Sequence, residues 1–160
     1  MFRQLSHELE VNVPASEAWE IYGTSRISKL LVEDGSTFEK IEALEGDGGS
    51  GTILKKTFMP GSHGCTVHKE KFTKLDNEKR IKEIEVIEGG ILDLGFTLFR
   101  VRFEIIEKDN DSCIIKSTIE YDIKEEAVAN TSYANTDLVA KIAEVAKNYL
   151  IKNKAIENAA

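Results

Sequence analysis

Ionisable side chains interrupt the apolar face of two neighbouring strand-like stretches. In one stretch, strict alternation places Lys82 on the same face as Ile84, and the acidic residues of that stretch fall on the other face. In the stretch before it, the same alternation places His68 and Glu70 with Phe72. A short turn joins the two stretches, so we expect them to pair as a hairpin. One amine, one carboxyl and one imidazole are therefore predicted to face the interior together.

These three groups suit proton transfer to and from a carbonyl compound. A lysine among apolar side chains loses solvation, which lowers its pKa, whereas a nearby carboxylate raises the pKa again. With Glu70 on the adjacent strand, we expect Lys82 to be a charged hydrogen-bond donor to a carbonyl oxygen. Glu70 would accept and return a proton, and His68 would be a secondary donor at the pocket mouth.

A purely structural interpretation of the same residues is also open. Lys82 would lie near the end of its strand and extend its ammonium group to solvent, while Glu70 accepts a hydrogen bond from a backbone amide. Burying an isolated charge is costly, so charges on an inner face pair, reach water in a cavity or do chemistry. The two interpretations differ in whether Lys82 points into a cavity or into solvent.

One long helix and a run of strands are predicted to position these groups. Apolar residues recur at steps of three and four over residues 135–154, which is typical of a helix with one apolar stripe. Such a helix must bury its stripe, and the alternating strands offer the surface, so residues 1–160 are predicted to form a single α+β domain of helix-grip architecture. Two short helices are expected after the first strand. The predicted strands are 5–13, 38–44, 52–59, 67–75, 80–88, 96–106 and 113–122.

The inner face of this sheet and the facing helix are expected to enclose an internal hydrophobic cavity. Alternation puts Arg100 and Arg102 on the opposite, outer face, so neither is a site candidate. The candidate ligand-binding residues are Phe58, Phe72, Ile84, Val86, Phe99, Val101, Tyr133, Leu138 and Ile142.

A glycine-rich segment satisfies the spacing G-x-G-x-x-G at Gly46, Gly48 and Gly51. The dinucleotide-binding form of this motif needs a helix directly after it, whose amino terminus meets the pyrophosphate. Residues 52–58 are instead typical of a strand. The segment is therefore interpreted as a hairpin turn that needs positive φ at several glycines.

Composition excludes several function classes. The chain has 160 residues and a formal net charge of −7, which disfavours a nucleic-acid partner. The sequence has no run of 18 apolar residues, so no membrane span is expected. The first residues lack the apolar core of a secretory signal. We therefore expect a cytoplasmic protein whose two cysteines, Cys65 and Cys113, are reduced thiols. The histidines and cysteines show no metal-ligand spacing, so no metal is expected.

Several blocks of the sequence together resemble one plant family. They are similar to the pathogenesis-related class 10 superfamily, which shares the birch-pollen-allergen fold, and most of all to its norcoclaurine synthases and major-latex-protein-like relatives. The resemblance covers nearly the whole chain and implies a seven-stranded antiparallel sheet that grips a long C-terminal helix around a large apolar cavity. It implies neither a metal nor an organic cofactor. The blocks are residues 38–42, 45–53, 68–72, 87–95 and 111–118.

The resemblance also implies roles for individual positions. Norcoclaurine synthases condense dopamine with an arylacetaldehyde in a Pictet–Spengler reaction, using a Tyr, a Glu, a Lys and an Asp. The Glu and Lys match Glu70 and Lys82, whereas His68 stands at the position of the Tyr and Val101 at that of the Asp. A tyrosine that follows the paired glycines in those enzymes is Ile91 here. Without the Asp, the pocket is expected to prefer neutral apolar molecules over amines.

Three hypotheses for function follow from the residues and the resemblance. The first is a cofactor-independent cyclase or isomerase of plant specialised metabolism, acting on a small hydrophobic carbonyl or enol intermediate of iridoid or alkaloid type, as in nepetalactol-forming cyclisation. The second is a non-catalytic carrier of a hydrophobic plant hormone or metabolite, and the third is a Pictet–Spengler condensation. A defence nuclease is disfavoured by the charge. The expected partner is a small hydrophobic metabolite, with no nucleic acid and no membrane, and the protein is expected to be a monomer or weak homodimer.

Overall fold

The computed structural model describes residues 2–61 and 65–159. Its described part is a seven-stranded antiparallel sheet with two short helices and one long C-terminal helix, as the sequence and the resemblance predict. The strands are β1 (Phe2–Val11), β2 (Phe38–Glu45), β3 (Ile53–Phe58), β4 (Val67–Asp76), β5 (Ile81–Gly89), β6 (Phe96–Asp109) and β7 (Ser112–Ile123). The helices are α1 (Ala15–Tyr22), α2 (Arg26–Asp34) and α3 (Asp137–Ala159).

The sheet is a six-stranded meander to which the first strand is added at the β7 edge. Strands β2 to β7 pair in sequence order, and β1 pairs with β7, which gives the order β1-β7-β6-β5-β4-β3-β2. Consecutive strands need only short hairpin connections, so every pair is antiparallel. The strands β3, β4 and β5, which carry the candidate groups, lie side by side in one half of the sheet.

Helix α3 buries the predicted stripe against the rest of the fold. Its Val139, Ile142, Ala146 and Leu150 are buried with the apolar side chains of the sheet and of the two short helices. The helix begins two residues later than predicted and continues to Ala159. Beyond residue 154 the apolar period fades, but Ala155, Glu157 and Ala159 are good helix formers, so the helix persists with exposed side chains.

Two segments of 3₁₀ helix were not predicted from the sequence. They are Gly90–Leu94, between β5 and β6, and Glu125–Tyr133, before α3. Such short helices have little apolar periodicity, and the second one has no buried residue, so the pattern gives no signal for them. In the described residues, no helix combines the length and apolar character that crossing a membrane requires.

The outer face of the sheet carries charge pairs that include both arginines of β6. Arg102 Nε donates to Glu83 Oε1 at 2.9 Å, and its Nη2 donates to Glu120 Oε1 at 2.6 Å. Arg100 Nε reaches the same Glu120 oxygen at 3.2 Å. Both arginines therefore point away from the interior, as their alternation predicts.

Candidate active site

Glu70 lies at the centre of a buried polar cluster on the inner face of the sheet. Glu70 is 2% exposed. Its Oε1 accepts a hydrogen bond from His68 Nε2 at 2.8 Å, and since a carboxylate can only accept, this nitrogen carries the proton. Its Oε2 lies 3.1 Å from Nζ of Lys56 in an ion pair. That ion pair lacks good hydrogen-bond geometry, so charge rather than direction holds Oε2 in place.

This surrounding keeps Glu70 ionised. Burial by itself raises the pKa of the carboxyl group, but the Lys56 ammonium and the hydrogen bond from His68 outweigh burial and lower the pKa from 4.5 to about 2. Glu70 is therefore a carboxylate at any physiological pH. Such a weak base accepts protons readily only from strongly acidic species, and its negative charge stabilises a nearby cation.

Lys82 is held at the end of helix α1. Its Nζ donates a hydrogen bond at 3.1 Å to the backbone carbonyl of Tyr22, the last residue of that helix, where the helix dipole favours a cation. The same nitrogen lies 4.2 Å from the centre of the Phe72 ring. Lys82 does not pair with Glu70. The strand register places Glu70 opposite Val86, which is four positions from Lys82 along β5, and Glu70 pairs with Lys56.

The protonation equilibrium of Lys82 lies close to neutrality. Burial lowers the pKa of its amine most, the positive charge of Lys56 lowers the pKa further, and the charge of Glu70 raises it, with a net result of about 8. The ammonium form predominates at pH 7, in line with the expected donor form. A group with a pKa this close to the working pH gives and takes protons efficiently.

The structural interpretation predicts the wrong surroundings for Lys82 and Glu70. Lys82 is 5% exposed, so its ammonium does not extend to solvent. Glu70 is bound by two side chains rather than by a backbone amide. Lys82 does lie near the start of β5, as that interpretation requires, but helix α1 covers this end of the strand.

Sequence reasoning missed Lys56. The alternation of Leu54 and Phe58 places Lys56 between them on the inner face, while Lys55 faces outward. The adjacent Lys55-Lys56 pair conceals this, because two consecutive lysines resemble a solvated turn or edge. The signal that could have found Lys56 is the strict alternation of the strand, in which every second residue from Leu54 to Phe58 faces inward.

The polar cluster lines a pocket that we call the inner compartment. The side chains around it leave a narrow space, with a cavity volume of about 20 Å³. Lys82 and Phe72 also line a groove beside Gly46 and Gly48, with a cavity volume of about 240 Å³. The inner compartment is lined by Tyr22, Ile27, Ser28, Leu31, Leu54, Lys56, Glu70, Phe72, Lys82, Ile84, Phe103 and Ile142.

A second pocket, the outer compartment, adjoins the first through His68. The ring of His68 faces the outer compartment, and its Nε2 bonds to Glu70, which faces the inner one. The cavity volume of the outer compartment is about 60 Å³. The outer compartment is lined by Phe58, Cys65, His68, Val86, Ile91, Phe99, Tyr133, Asn135 and Leu138.

The predicted lining residues divide between the two compartments, with one exception. Val101 lines neither of them. It lies between Ile84 and Ile119 of the flanking strands, and its short side chain is buried in the core. The prediction for Val101 is therefore corrected: this position adds no polar group and little surface to the pocket. Phe72, Ile84 and Ile142 line the inner compartment, and Phe58, Val86, Phe99, Tyr133 and Leu138 line the outer one.

Two glycines between β5 and the following 3₁₀ helix fix the position of His68. Gly89 and Gly90 have φ of 73° and 55°, a region that other residues rarely adopt. A Cβ added to Gly90 would lie 2.8 Å from Cβ of His68 and 3.2 Å from its Nδ1. Only a glycine at this position lets the imidazole lie where it reaches Glu70.

Replacing Gly90 with alanine should therefore displace His68. We expect the Gly90→Ala variant to lose about 1–3 kcal/mol of stability from the strained φ and the contact. The His68–Glu70 hydrogen bond should lengthen or break, which histidine ring NMR shifts would report. Gly61→Ala is the control, since it also has positive φ but its added Cβ meets no neighbour. Equal His68 shifts in wild type and Gly90→Ala would contradict the assigned role of this glycine.

The lowered pKa of Glu70 predicts an acid-sensitive fold. A carboxyl group with a pKa of about 2 when folded and about 4.5 when unfolded contributes about 3 kcal/mol of stability above the unfolded value. This contribution is lost as pH falls from about 4.5 to about 2, because the unfolded chain then binds the proton more readily. Urea unfolding across this range should show the loss, and Glu70→Gln should flatten it. Parallel pH profiles for the two proteins would refute this origin of the acid sensitivity.

The other candidate chemical groups are not assembled into a site. Cys65 and Cys113 are both free thiols, and burial raises the pKa of each. In residues 2–61 and 65–159, no three side chains of His, Cys, Asp or Glu are arranged to hold a metal ion.

The fold and this buried polar cluster define a known class of protein. The chain belongs to the Pathogenesis-related protein Bet v 1 family, which it matches over residues 2–153.

Within this family the chain is similar to plant synthases. It is 47% identical over 152 residues to norbelladine synthase from Narcissus pseudonarcissus, a match that covers 94% of this chain and 93% of that protein. A solved point mutant of norcoclaurine synthase from Thalictrum flavum, in complex with a transition-state analogue, matches with a TM-score of 0.87 at 38% identity, over 96% of this chain and 97% of that one. The same plant's norcoclaurine synthase in complex with dopamine and hydroxybenzaldehyde matches with a TM-score of 0.86 at 38% identity, over 95% and 88%. These relatives are enzymes, which favours the enzymatic hypotheses over the carrier.

Proposed function

We propose that this chain catalyses the condensation of an aromatic amine with an aromatic aldehyde, of the Pictet–Spengler type. The observation that carries the proposal is a buried lysine near its point of titration, in an apolar pocket that also holds an ionised carboxylate. The similarity to norbelladine and norcoclaurine synthases supports it, and so does a relative's complex with an amine and an aldehyde. The iridoid-type cyclase hypothesis has no such support.

In the first step the two substrates join to each other, and Lys82 transfers the protons. The free amine of one substrate attacks the aldehyde carbon, a C–N bond forms, and the electron pair of the C=O bond moves to oxygen. The Lys82 ammonium protonates that oxygen, and the resulting neutral lysine takes the proton from the new N–H₂⁺ group. The product of this step is a neutral carbinolamine, and Lys82 is again charged.

The second step expels water and generates the iminium ion. Lys82 donates its proton to the carbinolamine hydroxyl, which leaves as water while the nitrogen lone pair forms the C=N bond. The iminium cation then lies in a pocket whose permanent anion is Glu70. A carboxylate in a low-dielectric site stabilises such a cation far more than it does in water.

The third step closes the ring. A carbon of the amine's aromatic ring attacks the iminium carbon, and the cationic ring that results is acidic enough to give its proton to Glu70 despite the low pKa of this carboxyl group. Glu70 releases this proton to solvent, and the neutral amine of Lys82, which is the stronger base of the two, takes one up from solvent. Both residues then regain their starting charges, and all atoms and charges balance.

The charges of the inner compartment suit an amine that enters as its free base. Lys56 and Lys82 supply two positive charges against the one negative charge of Glu70. This surplus disfavours a protonated amine, and Val101 supplies no second carboxylate. The free base is the nucleophile that the first step needs. The expected preference for neutral apolar molecules over amines remains a prediction, and a free-base amine is the form of amine that conflicts with it least.

Product analysis tests the proposal. Purified protein would be incubated with dopamine and either hydroxybenzaldehyde or an arylacetaldehyde, and the products compared by chromatography and mass spectrometry with a protein-free sample. We expect the protein to accelerate formation of a condensed product with at least one of the two aldehydes. Binding of the substrates without any acceleration would instead indicate a carrier.

A further inference from the structure

Lys56 is the charged group of the inner compartment that the proposed mechanism does not use. Its side chain is 10% exposed, and its Nζ lies 3.1 Å from Glu70 Oε2 and 5.1 Å from the centre of the Phe38 ring. A buried ammonium group is costly, and a single ion pair repays that cost only in part. A hydrophobic residue at this position would fill the same space more favourably, so the charge invites a functional explanation.

The surroundings of Glu70 and Lys82 contain few other charges. Helix α3 presents the apolar Ile142 to this pocket, and β6 presents the apolar Phe103. Lys56 therefore provides the nearest cationic partner of Glu70 and the positive charge that bears on Lys82. The titratable side chains around these two groups are Lys56 from β3, His68 from β4, Tyr22 from α1 and Asp47 from the glycine-rich loop.

We propose that Lys56 is a positioning residue that sets the protonation states of Glu70 and Lys82, and through them the pH range in which the enzyme works. Its Nζ pairs with Glu70 at 3.1 Å, and it lines the same pocket as Lys82, where two like charges disfavour each other. The proposal rests on the proposed function for its effect on the reaction, but its effect on Lys82 is independent of any substrate.

The two effects of Lys56 have the same sign. Burial is the largest influence on each pKa, and it raises that of Glu70 and lowers that of Lys82. The charge of Lys56 then lowers both. The carboxylate stays ionised further into acid, and the lysine becomes an effective proton carrier nearer to neutral pH. Removing the charge should move both limits of the active range to higher pH.

Lys56→Gln tests this, because glutamine removes the charge and keeps a polar N–H group on the same wall of the pocket as Glu70. The rate of condensation would be measured from acid to alkaline pH. We expect the variant to lose activity at a higher pH on the acid side and to keep it to a higher pH on the alkaline side. The matched control is Lys55→Gln, whose side chain lies on the opposite face of the same strand, and it should reproduce the wild-type profile.

A titration without substrate separates this proposal from the proposed function. In protein with ¹³C-labelled lysine, the side-chain signal of Lys82 should titrate near pH 8 in wild type and closer to its ordinary value of 10.5 in Lys56→Gln. This shift in a protein with no condensation activity would support the role of Lys56 and refute the proposed reaction. Activity together with an unmoved Lys82 titration in folded Lys56→Gln would overturn the role of Lys56.

Lys56→Arg is the second variant, since it keeps the charge even if the glutamine variant fails to fold. It should retain the wild-type pH profile and the Lys82 titration. If folded Lys56→Arg instead shows the upward displacement expected of a neutral residue, then the charge does not set the pH range, and the proposal is wrong.

Discussion

Replacing Lys82 with methionine should slow the condensation by about 10²–10⁴-fold, the usual loss when a general acid–base group is removed. Methionine is close to lysine in length and can still contact Phe72, so the pocket should keep its shape. The group that donates and accepts protons in the condensation is lost, together with the hydrogen bond to the Tyr22 carbonyl. Initial rates under saturating substrates would measure the effect. Lys71→Met, on the exposed face of β4, is the control and should leave the rate unchanged.

The same substitution should make the fold more stable. Folded Lys82 has a pKa of about 8, against 10.5 when unfolded, so keeping it buried and charged at pH 7 costs about 3 kcal/mol. Losing the hydrogen bond to the Tyr22 carbonyl offsets about 1 kcal/mol of the gain, leaving a net stabilisation of about 2 kcal/mol. Between pH 8 and 10.5 the unfolded chain binds the additional proton, so wild-type stability rises there and the gain vanishes. Lys82→Met that is both inactive and less stable than wild type would contradict the account of this residue.

Replacing Glu70 with glutamine should damage both the reaction and the fold. Glu70 is the proposed acceptor of the ring proton and, among the described residues, the one carboxylate that lines the inner compartment, so we expect the rate to fall by about 10²–10⁴-fold. The Lys56 ammonium is left buried with no counter-charge, which costs about 3 kcal/mol. Rates and urea unfolding at neutral pH would measure the two losses.

Glu88→Gln is the matched control for that experiment. Glu88 also pairs with a lysine, at 2.8 Å from Lys69 Nζ, but its side chain is 65% exposed on the outer face. Solvent screens this pair, so its loss should change neither the rate nor the stability measurably. If Glu70→Gln behaves like Glu88→Gln, Glu70 has neither a catalytic role nor a structural one.

Strand alternation was sufficient to predict much of this site. It placed Glu70, Lys82 and His68 on the inner face of adjacent strands, because side-chain direction in a strand depends only on local sequence. The same rule placed Arg100 and Arg102 outside. The short turn between β4 and β5 predicted their pairing, and the apolar stripe predicted the long helix, whereas the place of β1 beside β7 had no such signal.

The contacts that give these residues their properties could not be predicted in the same way. The Tyr22 carbonyl meets Lys82 only because α1 docks over the end of β5, and the sequence of either element does not specify that docking. Lys56 was readable from its buried neighbours, but its pairing with Glu70 depends on the register between β3 and β4. Val101 shows the converse: its face was predicted, but its distance from the pocket depends on the packing of β5 and β7 around it.

The handedness of the product tests the central claim most directly. Ring closure between dopamine and an arylacetaldehyde creates a stereocentre, and the uncatalysed reaction in achiral solvent gives both enantiomers equally. If the substrates react beside Glu70 and Lys82, wild-type protein should yield an excess of one enantiomer by chiral chromatography. Folded Lys82→Met should lose most of this excess, because the uncatalysed reaction then supplies most of the product. A racemic product from wild type, or an undiminished excess from Lys82→Met, would contradict the claim that this pocket and this lysine carry out the condensation.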